Sequence, residues 1–498
     1  MKNIRQASIK EKYGIKSLEY LIVKLDGDLI PLYARKEIGE NVNLVIRNKE
    51  ERKKEYERAI RRVKRKKGNR IMNNTKRFIE ETFPVKEVSI ESAKEKNIRH
   101  GHISTLHIWW ARKPLASSRA TIYASLIPPS DTIDDWNRKR QFIINFSKWE
   151  NSNNQQMIKQ AREDILKANK GKPPKVLDPF AGGGAIPLEA LRLGCEVYAN
   201  DYNPVATLIL KCTLEYPQKY GIPGEIEKEV EEFGKKYVEK VKVKNKLLED
   251  VKKWGNWVLN EAKKEIGEFY PEESNSIPVG YYWMRTIPCQ NPSCGAKIPL
   301  TVNWWLAKKD KKKVALFPFI EKKEVRFKIV GDGYEKMPEN FDPTNGTVSR
   351  AIATCPVCGG VIGAKTTRKL FQEKKAGQRM IAVVLHNPKR RGKFYRIATQ
   401  KDMEIFKEAE KYLKEKRDEL MLKWGMDPVP DESINPNSVK PRTMWLYGMN
   451  TWGDLFNSRQ KLALITFVEK VRKSYEKMLE QGYEEEYTKA LVSYLGLE

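Results

Sequence analysis

The chain has 498 residues and a formal net charge of +29, because 94 lysines and arginines outnumber 65 aspartates and glutamates. This length allows roughly two to four domains with a large buried core. It lacks an apolar stretch of membrane-span length and an apolar N-terminal signal segment, so we expect a cytoplasmic protein without membrane contact. The positive excess favours a polyanionic partner such as nucleic acid, although a thermophile's charged surface would explain part of it.

Residues 1–75 are predicted to form a basic N-terminal extension. Apolar and polar residues alternate around Tyr20–Leu25, which indicates a small strand-containing element. A helix-prone charge run follows at Lys49–Arg70. This run is either a nucleic-acid-binding arm or a solvated linker, and the sequence leaves both open.

The front segment, residues 76–129, contains the distinctive run Arg99–Pro114 and then an apolar helical stretch. The histidines of this run have no nearby cysteine and an irregular spacing, so a metal site is disfavoured against contacts with a cofactor or phosphate. Its candidates for nucleic-acid contacts are Arg99, His102 and Arg112. A polar insertion is predicted at 130–173.

The segment 174–215 is predicted to form a strand, a glycine loop, a helix and a second strand. Three successive glycines in the loop allow the backbone to approach a ligand closely. Asp201, after the second strand, is positioned to accept hydrogen bonds from ribose hydroxyls. The dinucleotide fingerprint requires a glycine where Pro187 stands, and the lysine of the Walker pattern is absent. The pattern therefore predicts a nucleoside-binding crevice at the carboxyl ends of parallel strands.

Two motifs resemble those of a known family. The run Asp178–Gly184 resembles the first motif of S-adenosylmethionine-dependent amino-methyltransferases, and Lys113-Pro114 resembles the motif beside the methionine end of that cofactor. The run 99–114 resembles the N-terminal region of adenine-specific DNA methylases that carry a zinc ribbon. The similarity extends from about Phe83 to the last residue. It implies an α/β fold with a Rossmann-like class I methyltransferase core, incomplete in this chain, plus helical insertions and an inserted zinc-ribbon module.

The resemblance implies S-adenosylmethionine as the cofactor and DNA as the partner. The residues it implies for cofactor binding are Lys113, Pro114, Asp178, Pro179, Phe180, Ala181, Gly182, Gly183, Gly184 and Asp201. The stretch Gly184–Ala190 is also similar to RNA guanine or adenine methylases, so methylation of tRNA or rRNA is the alternative.

Four of the six cysteines form two pairs, and a glycine follows the second cysteine of each. The pairs are Cys289 with Cys294 and Cys355 with Cys358. Two such knuckles predict a tetrahedral thiolate site for structural zinc, with no open position for catalysis. Disulfides are disfavoured in a reducing compartment. The zinc ribbon is predicted at 280–365, with an inserted sheet in the long interval between the pairs.

The regions flanking this module are predicted from periodicity. Residues 216–279 are expected to form a charged helical segment, with a long helical hairpin at 220–268. Residues 366–498 are expected to combine a strand at 380–385 with helices at 400–425 and 457–495. After the strand comes a basic hairpin whose candidates for nucleic-acid contacts are Arg390, Arg391 and Lys393. A plain basic hairpin is the alternative.

Methyl transfer to an exocyclic amine requires a turn that the sequence lacks. Relatives use an Asp/Asn/Ser-Pro-Pro-Tyr/Phe turn that accepts the amine hydrogens beside a flipped base. Neither Pro128-Pro129 nor Pro173-Pro174 has the acid before it or the aromatic residue after it. No catalytic residue is therefore assigned. We expect either a split enzyme, in which a second polypeptide supplies the turn, or a truncated reading frame, because the apolar C-terminal helix would otherwise expose an uncovered face. A catalytically silent, zinc-containing nucleic-acid-binding protein is the remaining alternative.

Overall fold

The computed structural model describes residues 20–25, 28–33, 76–232, 235–273, 275–435, 437 and 442–497. The predicted charge run Lys49–Arg70 lies outside these residues. The chain divides into two units, one formed by residues 1–253 with 482–498 and the other by residues 254–481. Both helices and sheets are present, as the predicted α/β class requires.

The helices and strands are numbered in chain order. The strands are β1 (Tyr20–Leu25), β2 (Asp28–Tyr33), β3 (Lys175–Asp178), β4 (Glu196–Ala199), β5 (Gly224–Glu232), β6 (Lys235–Val243), β7 (Ile277–Pro288), β8 (Lys297–Leu300), β9 (Trp305–Lys309), β10 (Lys312–Glu321), β11 (Glu324–Gly331), β12 (Val348–Ser349), β13 (Ile352–Thr354), β14 (Val361–Ile362), β15 (Gly377–His386) and β16 (Lys393–Ile397). The helices are α1 (Phe78–Glu81), α2 (Val85–Glu95), α3 (Leu115–Leu126), α4 (Ile133–Ser147), α5 (Gln155–Ala168), α6 (Ala185–Arg192), α7 (Pro204–Leu210), α8 (Tyr216–Tyr220), α9 (Lys246–Ile266), α10 (Ala364–Gln372), α11 (Gln400–Trp424), α12 (Arg442–Trp445), α13 (Ser458–Glu480) and α14 (Glu485–Leu497). A π-helical turn at Lys211–Glu215 joins α7 to α8.

The core of the first unit is built largely from helices α1 to α6. Helix α4 buries Ile143 and Phe146, and helix α5 buries Ile158 and Ile165 against helix α3. The prediction of a polar insertion at 130–173 is therefore corrected. Its polar residues lie on the outer faces of two amphipathic helices, whose apolar residues recur at helical spacing.

Strands β3 and β4 pair in parallel, with Lys175 opposite Glu196 and Asp178 opposite Ala199. They form the one parallel pair within the part of the chain that the structure describes. Leu177 and Tyr198 are neighbours in the register and remain 66% and 49% exposed. Parallel strands are normally covered on both faces. One face of this parallel strand–loop–helix–strand unit is therefore exposed among the described residues.

The prediction of a helical hairpin at 220–268 is wrong over its first half. Strands β5 and β6 form an antiparallel hairpin there, and only α9 is a long helix. The register sets Glu225 opposite Lys242 and Glu227 opposite Lys240. Such opposite charges stabilise a cross-strand pair, and they gave the sequence its charged, helix-like appearance.

The C-terminal helix α14 belongs to the first unit and does not leave an uncovered apolar face, contrary to expectation. Ala490 and Leu491 are fully buried. The Tyr494 hydroxyl donates to the Cys212 carbonyl at 2.6 Å, and the Tyr487 hydroxyl donates to Asp250 at 2.7 Å. The predicted helix at 457–495 is two helices, because the chain turns at Gly482, where φ is +81°.

The second unit is organised around a four-stranded antiparallel sheet with strand order β16-β15-β7-β8. The predicted strand at 380–385 lies within β15. The interval between the cysteine pairs carries the expected inserted sheet, with strand order β11-β10-β9. Its buried residues Leu316 and Val325 pack with Met284 of β7 and Ile381 of β15. Helices α11 and α13 pack against each other in a separate core.

Candidate cofactor site

The glycine loop joins the end of β3 to the start of α6. The Ala181 amide donates to the Asn200 carbonyl at 2.8 Å, so the loop is fastened to the end of the neighbouring strand. Gly184 caps α6 with a left-handed backbone, φ +78°, which glycine adopts without strain. The Phe180 amide donates to Asp178 Oδ1 at 3.2 Å. These hydrogen bonds fix the position of the loop at the carboxyl ends of β3 and β4.

Asp201 is buried at the end of β4 and fixes two backbone segments. Its Oδ2 accepts the Gly182 amide at 2.8 Å, and its Oδ1 accepts the Asn203 amide at 2.9 Å. Asn203 in turn caps helix α7 by accepting the Val205 amide at 2.9 Å. Each carboxylate oxygen has a second lone pair, so Asp201 retains capacity to bind a ligand hydroxyl.

Trp109 lies against the glycine loop. A Cβ added at Gly182 would be 2.5 Å from Trp109 Nε1, and one at Gly183 would be 3.2 Å from Trp109 Cβ. Because Gly182 and Gly183 have no side chains, the Trp109 indole can lie directly against the loop. The exposed Trp110 stacks on Trp109 with ring centroids 4.1 Å apart. Both tryptophans lie within the run 99–114, but the sequence pattern did not predict a place for them in the site.

A cavity of about 380 Å³ lies between the glycine loop and the run 109–113. Of the residues predicted to bind a cofactor, it is lined by Lys113, Asp178, Phe180, Ala181, Gly182, Gly183 and Asp201. Pro114, Pro179 and Gly184 do not line it and instead shape the adjoining turns. Arg112, predicted to contact nucleic acid, lines this cavity too. Burial, reinforced by the nearby Asp201 charge, raises the pKa of Asp178.

A buried carboxylate, Glu95, supports the run that forms one wall of the cavity. It accepts the amides of Leu115 and Ala116, each at 2.8 Å, at the N-terminus of α3. A carboxylate is favoured at that end of a helix by the helix dipole. Its Oε1 also lies 2.8 Å from His102 Nε2. No local sequence signal marks Glu95, because its partners lie 7 to 21 residues further along the chain.

His102 does not fit the expectation that it contacts nucleic acid. Its side chain is buried, bonded to Glu95 and stacked on Trp149 with centroids 5.4 Å apart. Its Nδ1 accepts the Ser104 amide at 3.1 Å. A ring enclosed in this way holds the loop together and cannot reach a phosphate. Arg99 is exposed, whereas Arg112 is half-buried and donates to Ser104 Oγ.

A buried ion pair links α3 to α6 beneath the glycine loop. Arg119 Nη1 lies 3.3 Å from Glu189 Oε1, and its Nε donates to the Phe146 carbonyl at 2.9 Å. Arg192 adds a second contact to Glu189 at 2.9 Å. Charges taken out of water need such partners. The pair fixes the helix that follows the glycine loop against the helix that follows the Lys-Pro motif.

The four predicted metal ligands are together in the second unit. The sulfurs of Cys289 and Cys358 are 3.7 Å apart, and those of Cys294 and Cys355 are 3.8 Å apart. All four lie within 4.8 Å of one another. A tetrahedral ion with sulfur ligands at about 2.3 Å separates them by about 3.8 Å, so the set fits zinc. The Gly360 amide and hydrogen bonds with the other three cysteines lower the pKa of Cys358 to about 7, whereas burial raises the pKa of Cys289 and Cys355.

Arg390, Arg391 and Lys393 are exposed at the hairpin between β15 and β16. They are therefore accessible to a polyanion. Within the described part of the chain, none of the helices has the length and apolar character required to cross a bilayer.

The comparisons with known proteins match two adjacent parts of the chain. Residues 155–288 match the family described as D12 class N6 adenine-specific DNA methyltransferase. Residues 82–156 match the family described as protein of unknown function (DUF1156). The first match supports an adenine methylase family, with S-adenosylmethionine as its cofactor, and suggests a Rossmann-like fold for this part of the chain. No curated protein and no solved structure matches the sequence.

Proposed function

We propose that this chain is the S-adenosylmethionine-binding part of an adenine-specific DNA methyltransferase that acts on the exocyclic amine of adenine. One observation carries the proposal. The methyltransferase match at 155–288 covers β3, the glycine loop, α6 and β4, and the same elements supply Asp178, Gly182 and Asp201 to the cavity. Methylation of RNA is the alternative function, and its detection would contradict this assignment.

The side chains around the cavity suit the chemical groups of this cofactor. Asp201 offers lone pairs to the ribose hydroxyls, and Asp178 offers a negative charge to the ammonium group. Lys113 and Arg112 offer positive charge to the carboxylate. The exposed indole of Trp110 offers a stacking surface to the adenine ring. When bound, the cofactor supplies a methyl group activated by its sulfonium sulfur.

We further propose that a second polypeptide supplies the turn that binds the target amine. The sequence has no Asp-Pro-Pro-Tyr-like turn. The exposed Leu177 and Tyr198 on the β3–β4 pair support the proposal, because parallel strands are usually covered on both faces. A partner that packs apolar residues against this face, and adds its own strands at the edge, would complete the core.

The cysteine cluster is proposed to hold a structural zinc ion. Four thiolates saturate a tetrahedral ion, so no position is left to activate water. The ion would join the end of β7 to the β13–β14 turn, and it would thereby fix the inserted sheet between them.

Calorimetry with S-adenosylmethionine tests the cofactor assignment. We expect binding by the wild-type chain and at least a tenfold weaker affinity for Asp201→Ala, which removes the ribose acceptor and releases the Gly182 amide. Glu196→Ala is the matched control, since Glu196 is exposed at the opposite end of β4 and should leave affinity unchanged. Absence of binding by the folded wild-type chain, with its partner present, would overturn the proposal.

Transfer of labelled methyl groups tests the reaction. We expect N6-methyladenine in DNA when the chain is combined with a polypeptide that carries an Asp-Pro-Pro-Tyr-like turn, and little or none without it. Full activity of the chain alone would contradict the second-polypeptide proposal. Preferential labelling of tRNA or rRNA would contradict the DNA assignment.

A further inference from the structure

A basic groove lies in the second unit beside the cysteine cluster. It has a volume of about 760 Å³ and runs between the β10–β11 hairpin and the start of β8. We infer that this groove, here called the ribbon groove, binds the phosphate backbone of DNA. Its charged lining residues are Lys297, Lys322, Lys323, Lys375, Arg379 and Glu324. The inference rests on the proposed function and adds a location for the polyanionic substrate.

The positive charge of the ribbon groove is only partly compensated: among its lysines, Lys375 pairs with Glu373 at 2.9 Å, and Glu373 lies outside the groove. Neither Lys297 nor Lys322 forms an ion pair with any residue that the structure describes. Lys323 Nζ donates to the Ser293 carbonyl at 3.2 Å and gains no counter-charge from it. The single carboxylate of the lining, Glu324, lies 3.8 Å from Arg326, which is outside the groove.

One cation of the groove is held rigidly. Arg379 Nη1 donates to the Val325 carbonyl at 2.7 Å, and its guanidinium lies over the Phe327 ring at 5.6 Å from the centroid. These contacts leave further N–H groups for a ligand, because a guanidinium has five. A fixed arginine loses little side-chain freedom when it binds a phosphate.

The hairpin tip adopts a strained backbone at the groove. Lys322 and Lys323 both have left-handed conformations, with φ of +49° and +66°, between the paired residues Glu321 and Glu324. Two-residue hairpins of this kind strongly prefer Asn-Gly, and lysine there is unfavourable. Two successive strained residues that are both cationic and both line one groove point to a role in binding.

The chemistry favours a chain of phosphates over a single small anion. The cations stand on two sides of an extended groove, on the hairpin tip and on the starts of β8 and β15, so a ligand with spaced negative charges would reach both. A lipid surface fits poorly, because the apolar lining residues Ile287 and Val325 are buried. Of the nucleic acids, DNA follows from the proposed function.

Salt-dependent DNA binding tests the inference on the full, zinc-loaded chain. For Lys297→Ala/Lys322→Ala/Lys323→Ala, we expect affinity for a labelled non-specific duplex to fall tenfold or more. The slope of log affinity against log salt should decrease by about 2 to 3, since each phosphate contact contributes about 0.9. Lys407→Ala/Lys414→Ala/Lys423→Ala on α11 removes the same charge from an exposed face and is the control.

A second variant separates binding from folding. Lys322→Asn/Lys323→Gly introduces the favoured turn pair, so we expect a higher Tm together with weaker DNA binding and a shallower salt slope. Equal losses in the ribbon-groove and α11 variants, or unchanged binding by Lys322→Asn/Lys323→Gly, would overturn the inference. So would tighter binding of an RNA duplex that the same variants weaken. Cofactor affinity, measured by calorimetry, should be unchanged in all variants, so failure here is distinct from failure of the proposed function.

Discussion

Gly182 and Trp109 are in such close contact that a single added carbon at position 182 would lie 2.5 Å from Trp109 Nε1. The same glycine donates its amide to Asp201. The glycine loop is therefore shaped from two sides, by an indole from the front segment and by the carboxylate that closes β4. A substitution at any one of these three residues should therefore displace the other two.

Gly182→Ala should destabilise the first unit by about 2–5 kcal/mol. Its left-handed backbone, φ +52°, costs about 1–2 kcal/mol for alanine, and the collision with Trp109 adds about 1–3 kcal/mol. Thermal unfolding measures the loss. In a Trp109→Ala background, where the collision is absent, Gly182→Ala should cost only the backbone contribution of about 1–2 kcal/mol. Gly496→Ala, which meets nothing within 4 Å, is the control, and an equal loss there would contradict the explanation.

Glu95→Ala should weaken cofactor binding without touching the cavity. Two amides at the start of α3 and His102 would lose their buried acceptor, at a cost of about 2–4 kcal/mol. The run 99–114 would then be less ordered, so affinity for S-adenosylmethionine should fall several-fold in calorimetry. Glu91→Ala, which breaks only a pair with Lys94 on the same helix, should have little effect. Unchanged affinity in Glu95→Ala would show that the run does not depend on this carboxylate.

The residues of the glycine loop could be predicted from sequence because their signal is local. Asp178 to Gly184 and Asp201 belong to one strand–loop–helix–strand unit, and β3 and β4 form where the apolar runs predict them. The four cysteines were equally predictable, because each pair closes its own turn. Trp109 and Glu95 were missed, since their roles depend on contacts with distant parts of the chain.

The errors arose where charge concealed periodicity. At 224–243 the alternation of a two-stranded hairpin was obscured by lysines and glutamates that face each other across the strands. At 130–173 the many polar residues concealed the apolar faces of α4 and α5. Strand pairing determines the structure at 224–243, and helix packing determines it at 130–173. Composition alone predicts neither.

Glu189→Ala should be among the most destabilising substitutions in the first unit. Arg119 would remain buried without its carboxylate partner, at a cost of about 3–5 kcal/mol. The double variant Arg119→Met/Glu189→Leu should recover most of this loss, because it removes both charges together. Denaturant unfolding of the two variants measures the difference. Equal stability of the single and double variants would show that the ion pair is not the source of the cost.

Chelation of the metal should destabilise the second unit. One zinc per chain is expected, and Cys358→Ser or Cys289→Ser should lower the bound metal and the Tm. Cys195→Ala, a buried cysteine of the first unit, should retain the full metal content and is the control. Metal analysis beside thermal unfolding distinguishes the two. A full complement of zinc in Cys358→Ser would contradict the four-sulfur site.

Acid should unfold the second unit through Glu469. Burial acts to raise the pKa of this carboxyl, but hydrogen bonds from Lys416 and Lys473 outweigh it and lower the pKa from 4.5 to about 2. A depressed folded-state pKa contributes stability that is present above the unfolded value and is lost as the pH falls. Stability should therefore decline from about pH 5 toward pH 2.

Glu469→Gln tests this assignment. It should cost about 3 kcal/mol at neutral pH, because Lys416 and Lys470 then share only Glu265, and it should flatten the decline in acid. Denaturant unfolding across this pH range measures both effects. Glu476→Gln, on an exposed position of the same helix, should keep the wild-type profile. A wild-type decline in Glu469→Gln would assign the acid sensitivity to another carboxyl, for which Asp402 beside Arg396 is the next candidate.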